Sequence, residues 1–124
     1  MSDRLHLVIP GLFSEMPDDG VKITNPGFMI EVQKLQKKHP ELLRGLAFSN
    51  NTSIPWSKRL EEILSIMAMS GLLYRTPLNV WYTRKVKQAY LEGYKDQFTS
   101  EEQEEISKMS KELARSLRRG ELTA

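Results

Sequence analysis

The stretch WSKRLEEILSIMAMSGLLYRTPLNVWYT, at residues 56–83, decides the fold. Its first half carries apolar residues at helical spacing and ends at Gly71, because glycine is the commonest residue just after a helix C-terminus. Two short β-prone runs follow, residues 72–75 and residues 80–82. Pro77 lies between them in a turn. The stretch therefore predicts a helix followed by a small β-hairpin.

Hydroxyl side chains mark the start of this helix and of the next one. Ser53 or Ser57 begins the first helix, because either hydroxyl can accept a hydrogen bond from an unpaired first-turn N–H. Apolar residues cover more than one stripe of that helix, so we expect it to be the most buried. Beyond the hairpin, Thr83 caps a further helix that runs to about Tyr94.

The last helix is predicted by its cap and its charge order. Thr99 or Ser100 begins it, with Glu102 or Gln103 three residues on, the spacing of a capping box. Glutamates fill its first turns and basic residues its last turns, which complements the helix dipole. Gly120 ends it.

The N-terminal region is predicted to hold short strands. Leu5–Ile9 is an almost continuous apolar run that Pro10 ends, and Val21–Thr24 alternates apolar and polar residues. The two runs would form a loose hairpin, because about 11 residues separate them. The alternative is an N-terminal arm that packs on the domain or on a partner.

Two helices are predicted between this region and residue 56. Asn25 caps the first, with Pro26 at its first position, and Pro40 stops it. The second runs from Glu41 to about Phe48.

Together these elements predict a mainly α fold with a small β element, in one domain of 124 residues. Residues 1–24 form an N-terminal strand or arm, residues 25–98 a core, and residues 99–120 a long C-terminal helix.

Residues 53–95 resemble the second half of a winged helix-turn-helix domain. In that fold a helix ends at a Gly-Leu or Gly-Ile pair. The chain then forms a strand, a short wing and a returning strand, and enters another helix. Here Gly71-Leu72 follows the helix and Thr76–Asn79 would form the wing. Helices at about 26–38 and 41–48 would be the two that precede the recognition helix.

The resemblance implies binding of double-stranded DNA. The start of the helix would face the major groove, the next residues would border the wing, and basic residues beyond the hairpin would meet phosphates. The same charged residues are also typical of an ordinary solvated surface. The implied residues are Ser57, Lys58, Arg59 and Glu62 on the helix, Arg75 and Asn79 at the wing, and Arg84, Lys85 and Lys87 beyond it.

The charge distribution agrees with a basic middle segment. The net charge is +2, but residues 57–95 carry seven basic and three acidic residues. A chain this close to neutral is not a general nucleic-acid binder of the histone type. Aromatic residues interleave with these cations and could instead form a stacking platform for a single strand, although a buried core is the alternative. The aromatic residues are Trp81, Tyr82, Tyr90 and Tyr94.

The C-terminal helix carries a narrow apolar stripe with gaps of three, four and four residues. This spacing approaches the seam of a coiled coil and predicts a homodimer or a helix from another protein. The alternative is that the stripe closes the chain's own core. Its residues are Ile106, Met109, Leu113 and Leu117.

Catalytic and metal-binding signatures are missing from the sequence. There is no cysteine, no glycine-rich phosphate loop and no metalloprotease or hydrolase motif. We therefore expect no enzyme, no cofactor and no metal site. The chain shows no secretory leader and no apolar run long enough to span a bilayer, which favours the cytoplasm and no membrane partner.

The expected function is a non-enzymatic, DNA-binding regulatory or accessory protein acting as a dimer. The alternative is a non-catalytic protein-interaction module: an adaptor, an inhibitor or a subunit of a larger assembly.

Overall fold

The computed structural model describes residues 4–16, 22–49, 54–76, 79–82 and 84–118, with the backbone alone at residues 81, 82 and 118. Within these ranges the chain is mainly helical with a small antiparallel sheet, so the predicted fold class is confirmed. In chain order the elements are α1 (Leu5–Gly11), β1 (Lys22–Thr24), α2 (Asn25–Lys38), α3 (Lys58–Met69), β2 (Leu73–Arg75), β3 (Asn79–Tyr82), α4 (Arg84–Ala89), a π-helical segment (Tyr90–Tyr94), a 3-10 turn (Lys95–Gln97) and α5 (Ser100–Arg118).

The sheet has the strand order β1-β3-β2, with β3 in the middle and both pairings antiparallel. Ile23 pairs with Val80, and Leu73 pairs with Tyr82. The predicted β2–β3 hairpin is therefore confirmed, and so is a strand at the end of the N-terminal region. The predicted N-terminal hairpin is wrong, because β1 pairs with β3.

Helix α1 replaces the strand that was predicted at Leu5–Ile9. Every residue of α1 except His6 is buried, so the continuous apolar run reflects a helix surrounded by core on nearly all sides. Pro10 lies inside α1 and cannot donate to the carbonyl of His6, four residues earlier. His6 is also the one exposed residue of the helix.

Helix α2 has the predicted extent but a different cap. The Thr24 hydroxyl accepts a hydrogen bond from the Gly27 N–H at 3.1 Å and serves as the cap instead of Asn25. The Asn25 amide instead donates to the carbonyl of Thr76 at 3.0 Å, which ties the start of α2 to the hairpin. The helix ends before Pro40, as predicted.

The helix predicted at Glu41–Phe48 is wrong. Residues 40–45 form successive turns, and Gly45 has a positive φ of 102° that no helix accommodates. The side-chain amide of Gln36 donates to the carbonyls of Leu43 and Leu46, at 3.0 and 2.6 Å. These bonds pair two carbonyls of the turn segment with a side chain of α2.

Helix α3 begins and ends as predicted, but it is not the most buried helix. The Ser57 hydroxyl caps the Leu60 N–H at 3.2 Å, and Gly71 follows the C-terminus with a φ of 79°. Only one stripe of α3 faces the core, formed by Leu60, Ile63, Leu64 and Met67. Ile66 and Met69 are 59 % and 87 % exposed, and α1 is buried on more of its surface.

Helix α4 continues into the π-helical segment and the 3-10 turn. The predicted single helix to Tyr94 is therefore correct in position but changes its hydrogen bonding at Tyr90. Val86 and Tyr90 are buried, as their spacing predicted. The predicted cap, Thr83, lies outside the described residues.

Helix α5 closes the core from the C-terminal side. The predicted capping box is present: the Thr99 hydroxyl accepts from the Glu102 N–H at 3.1 Å, and the Glu102 carboxylate accepts from the Thr99 N–H at 2.9 Å. The predicted end at Gly120 lies outside the described residues.

The α5 stripe predicted to pair with another helix lies in the chain's own core. Ile106, Met109 and Leu113 are at most 1 % exposed, and Leu117 packs against the same core, half-buried. These side chains cannot contact a partner unless the domain opens, so the expectation of an interaction helix at this stripe is wrong. The alternative, closure of the chain's own core, is correct.

The core contains side chains from all five α-helices and all three strands of the described residues. The rings of Phe13 and Phe28 stack with centroids 5.6 Å apart, just beyond α1 and inside α2. On the surface, the Arg4 guanidinium contacts Glu102 and lies 5.0 Å from the Phe98 ring centroid, fastening the start of α1 to the start of α5.

The Arg4–Glu102 contact gives a pH-dependent contribution to stability. Hydrogen bonds from Arg4 first, and then from the Thr99 backbone, lower the Glu102 pKa from 4.5 to about 2. A carboxyl pKa that is lower in the folded state stabilises the fold above the unfolded pKa, and the contribution is lost as pH falls.

We expect the difference in unfolding free energy between wild type and Glu102→Gln to be full above pH 4.5 and to shrink as pH falls towards 2. Urea unfolding at a series of pH values measures it, and Glu104→Gln, on an exposed carboxylate of the same helix, is the matched control. A difference that stays constant over this range would contradict the assignment.

Candidate nucleic-acid interface

The outward side of α3 carries a single row of residues that we call the outer row. Its members are spaced four, three and four residues apart, which places them on one side of a helix. Lys58, Glu62 and Met69 are exposed and Ser65 is half-buried. The row thus presents a cation, a carboxylate, a hydroxyl and an apolar side chain along the length of α3.

The β2–β3 hairpin is fixed beside the first turns of α3 by an ion pair. Both terminal nitrogens of Arg75 donate to the Glu61 carboxylate, at 2.9 and 2.6 Å, which makes the ion pair bidentate. The same guanidinium donates to the Ser65 hydroxyl at 3.2 Å and to the Asn25 side-chain oxygen at 3.4 Å. The hairpin tip consequently lies at the N-terminal half of α3.

The tip of the hairpin is closed by Thr76 and Asn79. The Thr76 N–H donates to the Asn79 carbonyl at 2.9 Å, and the Asn79 N–H donates to the Thr76 hydroxyl at 3.1 Å. Asn79 is half-buried and lies at the tip of the hairpin. Tyr74 projects from β2 and is 70 % exposed.

Two residues predicted to contact DNA have structural roles instead. Ser57 is fully buried and its hydroxyl caps α3, so it cannot reach a ligand. The Arg75 side chain is 13 % exposed and its charge is matched by Glu61, so it holds the hairpin rather than meeting a phosphate. The predicted DNA contacts of Ser57 and Arg75 are therefore wrong.

The other predicted residues on α3 lie on two sides of the helix. Lys58 and Glu62 belong to the outer row. Arg59 turns towards α1, and its guanidinium lies 3.8 Å from the Glu62 carboxylate.

The basic residues after the hairpin lie away from its tip. Tyr82, at the end of β3, pairs with Leu73, which follows α3 closely. Arg84 and Lys85 are exposed and follow β3 in the chain, so they lie towards the C-terminal end of α3, whereas Lys58 lies at its N-terminal end. Lys87 is half-buried, and its ammonium donates to the carbonyl of Met16 at 3.4 Å. The predicted cations thus divide between two ends of the helix.

The aromatic platform that was considered for a single strand is incomplete. Tyr90 is 2 % exposed, and burial raises the pKa of its hydroxyl to about 12. Tyr94 is half-buried, and the side chains of Trp81 and Tyr82 lie outside the described part of the chain. Tyr90 is therefore a core residue, the alternative that its spacing from Val86 favoured.

Several surface residues of this region were missed at the level of sequence. Met69, Tyr74 and Trp56 are 87, 70 and 44 % exposed, although large apolar side chains in a helix or strand pattern predict burial. The sequence feature that could have identified the outer row is the four-three-four spacing of its residues from Lys58 to Met69.

Three further findings bear on function. In the described ranges, no helix is both long enough and apolar enough to cross a membrane. Among the same residues, no three histidine or acidic side chains come together as a metal site requires. No protein-family model matches the chain, and neither a curated protein nor a solved structure matches it.

Proposed function

We propose that this chain binds double-stranded DNA as a non-enzymatic regulatory or accessory protein, with the outer row of α3 in the major groove. The observation that carries the proposal is an exposed mixed row on α3 with a β-hairpin fixed beside it. Helix α3, β2, β3 and α4 follow in the order of a winged helix-turn-helix domain. The rigid Arg75–Glu61 pair would keep the wing in register with the helix.

The chemistry of the outer row suits base edges. Lysine donates to guanine, a carboxylate accepts from the cytosine amino group, and a hydroxyl can do either. Apolar side chains contact the thymine methyl group, which gives a use for the exposed Met69. A row that mixes these four groups offers a donor, an acceptor and an apolar contact, so it can distinguish more base pairs than a purely basic row, which offers donors alone.

Only a few cations support the phosphate contacts. Lys58, Arg84 and Lys85 are exposed, and if each neutralises one phosphate, affinity falls roughly 40-fold between 50 and 200 mM salt. The dimer expected through α5 loses its basis because that stripe is buried. We therefore propose that a single chain binds each DNA site. Light scattering measures the mass of the complex and tests this stoichiometry.

Fluorescence anisotropy with a labelled random-sequence duplex tests the proposal. We expect Lys58→Ala to weaken binding several-fold and to reduce the slope of log affinity against log salt by about one. Lys111→Ala, on the exposed side of α5, removes the same charge away from α3 and is the control. No binding at low salt, or equal losses in the two variants, would contradict the assignment.

A further inference from the structure

A polar cleft lies between the end of α1, the π-helical segment and the first half of α5. Its volume is about 260 Å³, slightly below the range typical of pockets for drug-sized ligands, so it suits a smaller molecule. The lining is mostly polar and includes three serine hydroxyls, a glutamine amide, two carboxylates and an ammonium group. One wall is the π-helical segment, a feature that is frequent at functional sites.

The buried hydroxyl of Tyr90 lies at the bottom of this cleft. Tyr90 lines the cleft but is only 2 % exposed, and its hydroxyl has no hydrogen-bond partner among the described residues. A Cβ added to Gly11 would lie 3.1 Å from the ring carbon that bears this hydroxyl. The Gly11 carbonyl accepts a hydrogen bond at 2.7 Å from the hydroxyl of Ser14, which also lines the cleft. The hydroxyl end of the ring is therefore directed at the cleft.

An unpaired buried hydroxyl needs a physical explanation. Nearly all buried polar groups of native proteins form hydrogen bonds, because an unpaired one destabilises the fold. The Tyr90 hydroxyl stays protonated at neutral pH, since burial raises its pKa to about 12, and it can therefore donate as well as accept. A polar atom of a molecule in the cleft would supply the partner that the described residues do not.

The two ends of the cleft carry opposite charges. At one end the side-chain amide of Gln103 donates to the Lys95 carbonyl at 3.0 Å. At the other end the Ser107 hydroxyl donates to the Glu15 carboxylate at 3.3 Å. Gln103 and Ser107 are four residues apart on α5, so these two attachments are about 6 Å apart along the helix. Neither the Lys95 ammonium nor the Glu15 carboxylate forms an ion pair with a described residue, so both charges are available to a ligand.

We propose that this cleft binds a small zwitterion of dipeptide size. The carboxylate of the ligand would pair with the Lys95 ammonium, and its ammonium with the Glu15 carboxylate. An extended dipeptide separates its two charged ends by about 7 Å, a length that lets each end reach its partner. The peptide carbonyl between the ends would accept from the Tyr90 hydroxyl. The cleft is independent of the proposed DNA function, since none of its described lining residues belongs to α3 or to the hairpin.

Glycylglycine is the probe, and two derivatives each lack one of its charges. N-Acetylglycylglycine has no ammonium and glycylglycinamide has no carboxylate. We expect glycylglycine to bind the full chain at millimolar concentration and both derivatives to bind at least about fivefold more weakly. The acetylated derivative should be the weaker of the two, because the lining holds two carboxylates and one ammonium. NMR titration of the backbone amides measures the affinities. Absence of saturable binding, or a derivative that binds as tightly as glycylglycine, would overturn the proposal.

Tyr90→Phe separates the site from the fold. It removes only the unpaired hydroxyl, so the urea midpoint should stay equal or rise while glycylglycine binding weakens about threefold or more. Unchanged binding would overturn the proposal, because the hydroxyl would then have no part in it.

Two lysine variants test the charged end of the cleft. Lys95→Gln should weaken glycylglycine binding about fivefold. Lys108→Gln removes the same charge from the exposed side of α5, outside the cleft, and should leave binding within about twofold. Equal losses in the two variants would show general electrostatic attraction and would overturn the proposal.

The positions of the NMR shifts locate the ligand without any variant. The largest amide shifts should fall in Tyr90–Tyr94 and at Ser107, whereas the amides of α3 should not move. Shifts that are largest in α3 would overturn the proposal, because the ligand would then bind elsewhere.

Discussion

Gly11→Ala is expected to lower the free energy of unfolding by about 2 kcal/mol or more. Gly11 ends α1 in the middle of the core. A Cβ added there would lie 2.6 Å from a methyl carbon of Ile106 and 2.8 Å from the ring of Tyr90. Both neighbours are buried and belong to other helices, so α1 has to move away from α5 or from the π-helical segment.

The higher helix propensity of alanine opposes this loss of stability, but its effect is smaller. Alanine in place of glycine favours a helix by at most about 1 kcal/mol, and less at the last residue of a short one. Gly93→Ala is the matched control, because a Cβ at Gly93 meets nothing within 4 Å and should leave stability equal or slightly higher. Urea unfolding of the two variants measures the difference. Equal midpoints would mean that α1 does not pack as closely as described.

Glu61→Ala is expected to cost about 2–3 kcal/mol, well above the loss for an ordinary surface acid. The Glu61 carboxylate is the only acidic partner that the described residues give to Arg75, whose side chain is 13 % exposed. Without it a nearly buried guanidinium keeps its charge and loses both of its shortest hydrogen bonds. The consequence is a loosened hairpin as well as a less stable fold.

Glu62→Ala is the control for this experiment. Glu62 is the next residue, its side chain is 51 % exposed, and its contact with Arg59 is 3.8 Å long. Such a contact is worth at most about 1 kcal/mol, so the variant should unfold close to wild type. Thermal unfolding and hydrogen exchange of the β2 and β3 amides check both effects. A Glu61→Ala protein as stable as Glu62→Ala would show that the ion pair does not hold the hairpin.

Most elements with strong local signals were predictable from the sequence. Ser57 and Gly71 bound α3, the Thr99–Glu102 box begins α5, and the β-prone runs on either side of the turn pair as a hairpin. The N-terminal run at Leu5–Ile9 was not predictable in the same way. A short, continuous apolar run has no period, so a strand and a fully buried helix have the same pattern.

The candidate interface was only partly predictable, because exposure depends on tertiary contacts. Lys58 and Glu62 are exposed, as the helical pattern of α3 indicated. The role of Arg75 could not be read from the sequence, since its partner Glu61 lies on another element and the helix pattern gives no distance between them. Ser57 was one of the two predicted caps, and the hydrogen bond by which it caps α3 also excludes it from DNA contact.

The position of β3 in the sheet also constrains how the chain can fold during synthesis. Both outer strands pair with β3, which is the last of the three strands in the sequence. A nascent chain that has not yet released residues 79–82 from the ribosome can therefore form neither pairing. Until then Lys22–Thr24 carries unpaired backbone groups, the kind of exposed edge that favours aggregation. The sheet would then assemble in one late step, after α2 and α3 have been made.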